Sequence, residues 1–134
     1  MAVGGVHHVG IAVDDLDAAV ERYTALFGAT LEHRATVEDQ GVEAASLRIG
    51  DSRVELLAPL GEDTPVGRFL ARRGPGMHHV AFECDDVARE LARLKADGVA
   101  LIDEVPRRGL FGLQVGFAHP ESTGGVLAEF VGDE

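Results

Sequence analysis

Two stretches of the chain alternate large apolar residues with small or polar ones, and each opens on a pair of histidines. His7-His8-Val9-Gly10-Ile11-Ala12-Val13-Asp14-Asp15-Leu16 is echoed 71 residues later by His78-His79-Val80-Ala81-Phe82-Glu83-Cys84-Asp85-Asp86-Val87. The period of two marks a strand with one packed face, and the repetition marks a duplicated unit. After each strand the period changes. Leu16, Ala19, Val20, Tyr23 and Leu26 in the first copy, and Val87, Leu91 and Leu94 in the second, recur every three or four residues, the spacing of a helix with one buried face. Strand-like runs then follow at about 30–37, 42–49 and 52–59, the last two joined by Gly50-Asp51, a hairpin signal. The second half predicts a strand at 77–84, a helix at 86–97 and strands near 99–105, 113–118 and 126–131, with loops from Pro106 to Gly112 and from His119 to Gly125. The chain therefore predicts one α+β domain over 1–134, built from internal βαβββ modules at 6–60 and 77–131.

Local signals support these boundaries. Asp14 or Asp15, and Asp85 or Asp86, stand where the helices begin, so their carboxylates are expected to cap unsatisfied N–H groups. Gly28 and Gly98 follow the last periodic positions and read as helix stops. Thr64 to Arg73, with Pro65 in its first turn and Gly74-Pro75-Gly76 after it, predicts a short linking helix that has no counterpart in the second half.

Strand parity selects the candidate chemistry. Adjacent histidines cannot share a face, and Val9, Ile11 and Val13 form the apolar stripe that must meet the helix. His8 then faces the other way, beside the small Gly10 and Ala12, and His79 does the same beside Ala81 and Glu83. The last strand of each module carries one carboxylate in an apolar run: Glu55 in Val54-Glu55-Leu56-Leu57 and Glu129 in Leu127-Ala128-Glu129-Phe130-Val131. A buried carboxylate is costly unless it is paired, hydrogen-bonded or metal-bound. One histidine and one carboxylate at matching places in both modules is the set expected around a single ion, so His8, Glu55, His79 and Glu129 are the predicted metal ligands. Two imidazoles and two carboxylates suit Co, Ni, Mn, Fe or Zn. His33 and His119 have no repeat partner and read as surface or turn residues; Cys84 lies on the apolar face and reads as a small core residue.

Composition narrows the partners. Twelve basic residues against 23 acidic ones, a formal net charge of −11, argue against nucleic acid or an anionic membrane surface as the partner. A lone cysteine excludes an internal disulfide framework, and no 18-residue apolar run or leader pattern is visible, so the expected location is the cytoplasm.

The residues resemble the vicinal oxygen chelate (glyoxalase/bleomycin resistance/dioxygenase) superfamily and, within it, the methylmalonyl-CoA epimerase family, over about residues 6–131. The carriers are His8-Val9-Gly10-Ile11-Ala12-Val13, Glu38-Asp39-Gln40-Gly41-Val42, Val54-Glu55-Leu56-Leu57-Ala58-Pro59-Leu60, Gly76-Met77-His78-His79-Val80-Ala81-Phe82, and His119-Pro120 with Gly124-Gly125-Val126-Leu127-Ala128-Glu129. The resemblance implies a curved eight-stranded mixed sheet around a metal cleft, a homodimer, and one divalent ion with cobalt the first choice. It also implies interconversion of (2R)- and (2S)-methylmalonyl-CoA by α-proton abstraction through an enolate that the metal stabilises, with Glu129 and Glu55 as bases as well as ligands.

The chain departs from the family in one place. Some members carry a glutamate, assigned as a base, where this chain has Ala44; the neighbouring Glu43 should face the other way by parity and inherits no role. Arg72, Arg73, Arg107 and Arg108 are the candidates for the coenzyme A phosphates, although charged pairs in loops are usually just solvated. The alternatives are a glyoxalase I-type lactoylglutathione lyase, which shares the His, Glu, His, Glu set, and a metal-free small-molecule-binding module of the same fold.

Overall fold

The computed structural model describes residues 3–133. They form two compact units, one of His8–His78 and one that joins the residues up to His7 with those from His79 onward.

The His8–His78 unit carries β1 (Gly5–Ala12, entering from the other unit), α1 (Leu16–Phe27), β2 (Thr30–Val37), β3 (Val42–Ile49), β4 (Ser52–Pro59) and α2 (Pro65–Arg73). The strand order is β2-β3-β4-β1, with β2, β3 and β4 antiparallel and β1 parallel to β4. Asp15 is the residue that caps α1, accepting from the Ala18 N–H at 3.1 Å, and Gly28 closes the helix in the left-handed region at φ 68°. The apolar stripe of α1 covers one face of the sheet, where Leu16 and Ala19 meet Ala45, Leu47, Leu56 and the half-buried Ile11. Leu47 and Leu56 are both fully buried, each removal from water contributing about 1.5–3 kcal/mol. Arg34 on that side reaches Asp17 of α1 at 2.6 Å and Glu43 at 2.9 Å. These two carboxylates, Glu43 first, raise the Arg34 pKa above its ordinary value. Glu43 thus lies on the helix side, as parity predicts.

Glycine is required at position 41. Its φ is 68°, and a Cβ there would come within 2.6 Å of Thr64 Cγ2. Thr64 in turn caps α2, accepting from the Gly67 N–H at 3.0 Å, so the turn before β3 and the start of the linking helix are seated against each other.

The second unit contains β5 (Gly76–Glu83, whose first three residues group with the other unit), α3 (Val87–Ala96), β6 (Arg107–Arg108), β7 (Gln114–Ala118) and β8 (Ala128–Gly132). The order is β5-β8-β7-β6, with β5 parallel to β8 and the other pairs antiparallel. Asp86 caps α3 through the Arg89 N–H at 3.1 Å, the counterpart of Asp15. Leu91 lies over Gly116 and Val87 over Gly132, so the helix approaches the sheet at residues without side chains.

One predicted strand is replaced. The run 99–105 contributes only a single bridge, Leu101 to Ala118, while Ile102 and Val105 are exposed at 51% and 72%. The strand beside β7 is the two-residue β6, within the stretch predicted as a loop. The Asp103 carboxylate accepts the Phe117 N–H at 2.9 Å, so a side chain does there what a backbone ladder was expected to do.

Candidate metal centre

In the His8–His78 unit the face away from α1 collects the predicted ligands. Gly10 and Ser46 are the cross-strand partners of Glu55, and Ala12 and Ala44 are those of Leu57. His8 shares this face and is 5% exposed, and its Nε2 lies 3.7 Å from Glu55 Oε2. Small residues surround the pair. Ala44 is buried on the same face and brings no proton-transfer group.

The second unit repeats the arrangement at the matching strand positions. Ala81 pairs with Glu129 across β5 and β8, and Glu129 with Phe117 across β8 and β7. His79 Nε2 lies 3.1 Å from Glu129 Oε1, and both side chains are under 5% exposed. The His79 ring meets the Phe117 ring edge to face, with centroids 5.5 Å apart at 85°. Phe117 is the neighbour that the sequence reading missed; its parity with Glu129 across the last two strands is the signal that points to it.

Each pair suits a metal ion. With metal–nitrogen and metal–oxygen bonds of about 2.1 Å, donors on adjacent vertices of a coordination shell stand about 3.0–3.4 Å apart. The His79 pair has this spacing, and the His8 pair would close by a few tenths of an ångström. Both pairs bring a neutral-capable imidazole and a carboxylate that burial leaves in need of a counter-charge.

The remaining candidates go elsewhere. His78, on the opposite parity from His79, packs edge-on against Phe69 of α2 at 5.0 Å, and Arg73 lies over the same Phe69 ring at 5.6 Å. Arg107 is engaged with Asp103 at 3.0 Å, and Arg72 and Arg108 are exposed. His119 is exposed and holds the turn before β8 by accepting the Glu121 N–H at 3.1 Å. Cys84 is half-buried; burial, followed by the charge of Glu90, raises its pKa, which suits a packing residue and not a nucleophile. No helix among the described residues is long and apolar enough to cross a membrane.

Residues 7–117 match the family model described as the Glyoxalase/Bleomycin resistance protein/Dioxygenase superfamily. The ethylmalonyl-CoA/methylmalonyl-CoA epimerase of Cereibacter sphaeroides is 35% identical over 95% of this chain and 96% of its own. The chain belongs to the methylmalonyl-CoA epimerase family. Its two βαβββ sets are those of the glyoxalase-like α+β fold, as in the crystal structure of methylmalonyl-CoA epimerase from Mycobacterium tuberculosis (TM-score 0.95, 39% identity, 99% of this chain and 90% of that one). A methylmalonyl-CoA epimerase solved in complex with methylmalonyl-CoA and NH4+ matches equally well, with a TM-score of 0.95 and 40% identity over 98% of this chain and 96% of that one.

Proposed function

We propose that this chain is a metal-dependent epimerase that interconverts (2R)- and (2S)-methylmalonyl-CoA, with His8, Glu55, His79 and Glu129 as ligands of one divalent ion. The observation that carries the reading is the repeated histidine–carboxylate pair, His8 with Glu55 and His79 with Glu129, in a chain of this family. Cobalt is the ion we favour, with nickel, manganese, iron and zinc accommodated by the same donors. We also propose a homodimer, on the family resemblance, working in the cytoplasm, where a chain with a single cysteine needs no disulfide.

The α-hydrogen of the substrate lies between a thioester and a carboxylate and is too weakly acidic for an unaided side-chain base. When bound, the ion supplies a Lewis acid for the thioester oxygen, lowering the cost of the developing enolate. The protein supplies the proton transfers. Inversion needs a proton removed from one face of the α-carbon and returned to the other, and the chain offers one carboxylate from each unit for this, Glu129 and Glu55. Ala44 offers no third group, and Glu43 is held on the helix side by Arg34.

Exchange of the methylmalonyl-CoA α-proton with deuterated solvent, followed by proton NMR, tests the reading. Exchange should vanish on chelation and return with cobalt. A cobalt-loaded sample that shows none would move the assignment to glyoxalase-type chemistry or to a binding module.

A further inference from the structure

A chain of contacts leads from the loop after α3 to the His79 pair, all of it within the second unit. The backbone of Phe117 is held by the 102–103 segment on both sides of its peptide: its carbonyl accepts from the Ile102 N–H at 2.9 Å and the Asp103 N–H at 3.1 Å, and its own N–H donates to Asp103 Oδ2 at 2.9 Å. Phe117 thus spends its main-chain bonds on the side away from β8. Its register partner there is Glu129, in a non-hydrogen-bonded pair, the antiparallel position where side chains stand closest. Asp103 Oδ1 also lies 3.0 Å from Arg107 Nε, and the Arg107 guanidinium sits over the Phe117 ring, 5.9 Å from its centroid. The Phe117 ring meets His79 at 5.5 Å, and His79 meets Glu129 at 3.1 Å.

We infer that Asp103, Arg107 and Phe117 are positioning residues for the His79–Glu129 half of the proposed metal site. One carboxylate orders both the backbone of Phe117 and the cation above its ring. The ring, 6% exposed and approached edge to face, leaves His79 one packed orientation, the one in which Nε2 points to Glu129. The strand predicted at 99–105 is given up for this: an ordinary ladder would pair Phe117 equally well but would bring no carboxylate to hold Arg107. The electrostatic attraction between the guanidinium and the ring face favours the stacked arrangement, and Asp103 keeps the guanidinium plane from swinging into solvent. In the first-module pair, His8 with Glu55, the cross-strand partners of the carboxylate are the small residues Gly10 and Ser46.

The inference rests on the metal reading above for one of its two tests and stands apart from it in the other. Arg107→Met, at a residue 30% exposed in its side chain, removes the cation with little effect on folding, and Asp103→Asn keeps an acceptor for the Phe117 N–H while removing the charge. In the metal-free protein, the ring-proton resonances of His79 should show one ring orientation against Phe117 in the parent, read from proton–proton NOEs between the two rings, and weakened NOEs in both variants. Cobalt titration calorimetry should show binding weakened about tenfold in Arg107→Met, the scale seen when outer partners of a ligating histidine are removed, with Arg107→Lys restoring little because an ammonium cannot stack as a plane. Phe117→Leu should be weaker still; if it does not fold, the two polar variants decide. Unchanged His79 resonances together with cobalt affinity within twofold of the parent would overturn the inference. A parent that binds no cobalt would defeat the metal reading alone, and the His79 resonances would then decide the positioning role.

Discussion

The seating of α3 on β7 can be tested by a cycle of two substitutions. A Cβ on Gly116 would stand 2.6 Å from Leu91 Cδ1, 3.2 Å from Cδ2 and 3.3 Å from Cγ, and Leu91 is fully buried. Gly116→Ala must therefore displace a core leucine that has little room, a strain of about 1–3 kcal/mol. The stiffer unfolded chain returns about 0.4–1 kcal/mol of that, since the Gly116 backbone is one that alanine adopts freely. The net expectation is a loss of about 0.5–2 kcal/mol, or a few degrees in Tm for a chain of this size. Leu91→Ala alone empties a fully buried site and should cost about 3–5 kcal/mol. In the double variant the methyl added at position 116 lies where the leucine branch was, so the strain disappears and part of the cavity is filled. The two changes should then cost less together than the sum of the singles, by about 1–2 kcal/mol. Urea unfolding followed by circular dichroism, with chelator present so that metal binding does not shift the transition, measures all four corners of the cycle. Additivity within about 0.3 kcal/mol, or a stabilising Gly116→Ala, would refute the packing argument.

Glu129→Ala should abolish exchange of the substrate α-proton, a fall of at least about a hundredfold as expected for loss of a proton-transfer group, while circular dichroism shows the fold intact; full retained activity would remove Glu129 from its proposed role. Glu43→Gln should leave that exchange unchanged and cost under about 1 kcal/mol in urea unfolding, because its partner Arg34 keeps Asp17 and the pair is partly exposed. A large fall in exchange would mean that Glu43 turns toward the substrate after all. The Cys84 thiol has its pKa raised by burial, so at fixed pH less of it is thiolate than in glutathione. Its alkylation by iodoacetamide should be slower than that of glutathione near neutrality and keep rising above pH of about 8.5, where an ordinary thiol is half ionised; a fast reaction at pH of about 7 would contradict the packing role.

Much of this was legible because strand parity leaves few choices. Once Val9, Ile11 and Val13 are given to the helix face, His8 must turn away from it, and the same step sorts Ala44 from Glu43. The interaction of Glu43 with Arg34, and of Arg34 with Asp17, follows that rule. The helix caps were legible to within one residue, since either member of an Asp-Asp pair can cap; Asp15 and Asp86 are the ones that do. The 99–105 segment was not legible, because its apolar residues mimic a strand while its backbone contacts with β7 are irregular and one of them is replaced by the Asp103 carboxylate, a long-range choice that leaves no periodicity in the sequence. Glu90 was equally hidden. It is buried on α3 at 5% exposure, held by Arg93 at 2.9 Å, and an acidic residue in a helix reads as a solvated one.

The unit that holds His79 and Glu129 is not one continuous piece of chain. Its first contribution is the segment ending at His7, and the Gly4 N–H donates to the Glu83 carbonyl at 2.8 Å. During synthesis this segment is made before residues 8–78 and waits while they find strand partners among themselves. Its own neighbours arrive only with β5, and β5 gains its partner β8 about fifty residues further along the chain. The waiting segment is a short length of unpaired strand, open in the meantime to wrong neighbours. The order in which the two histidine–carboxylate pairs can form thus follows the connectivity: the strands of the His8 pair, β1 and β4, are both made before β5, and the His79 pair waits for β8.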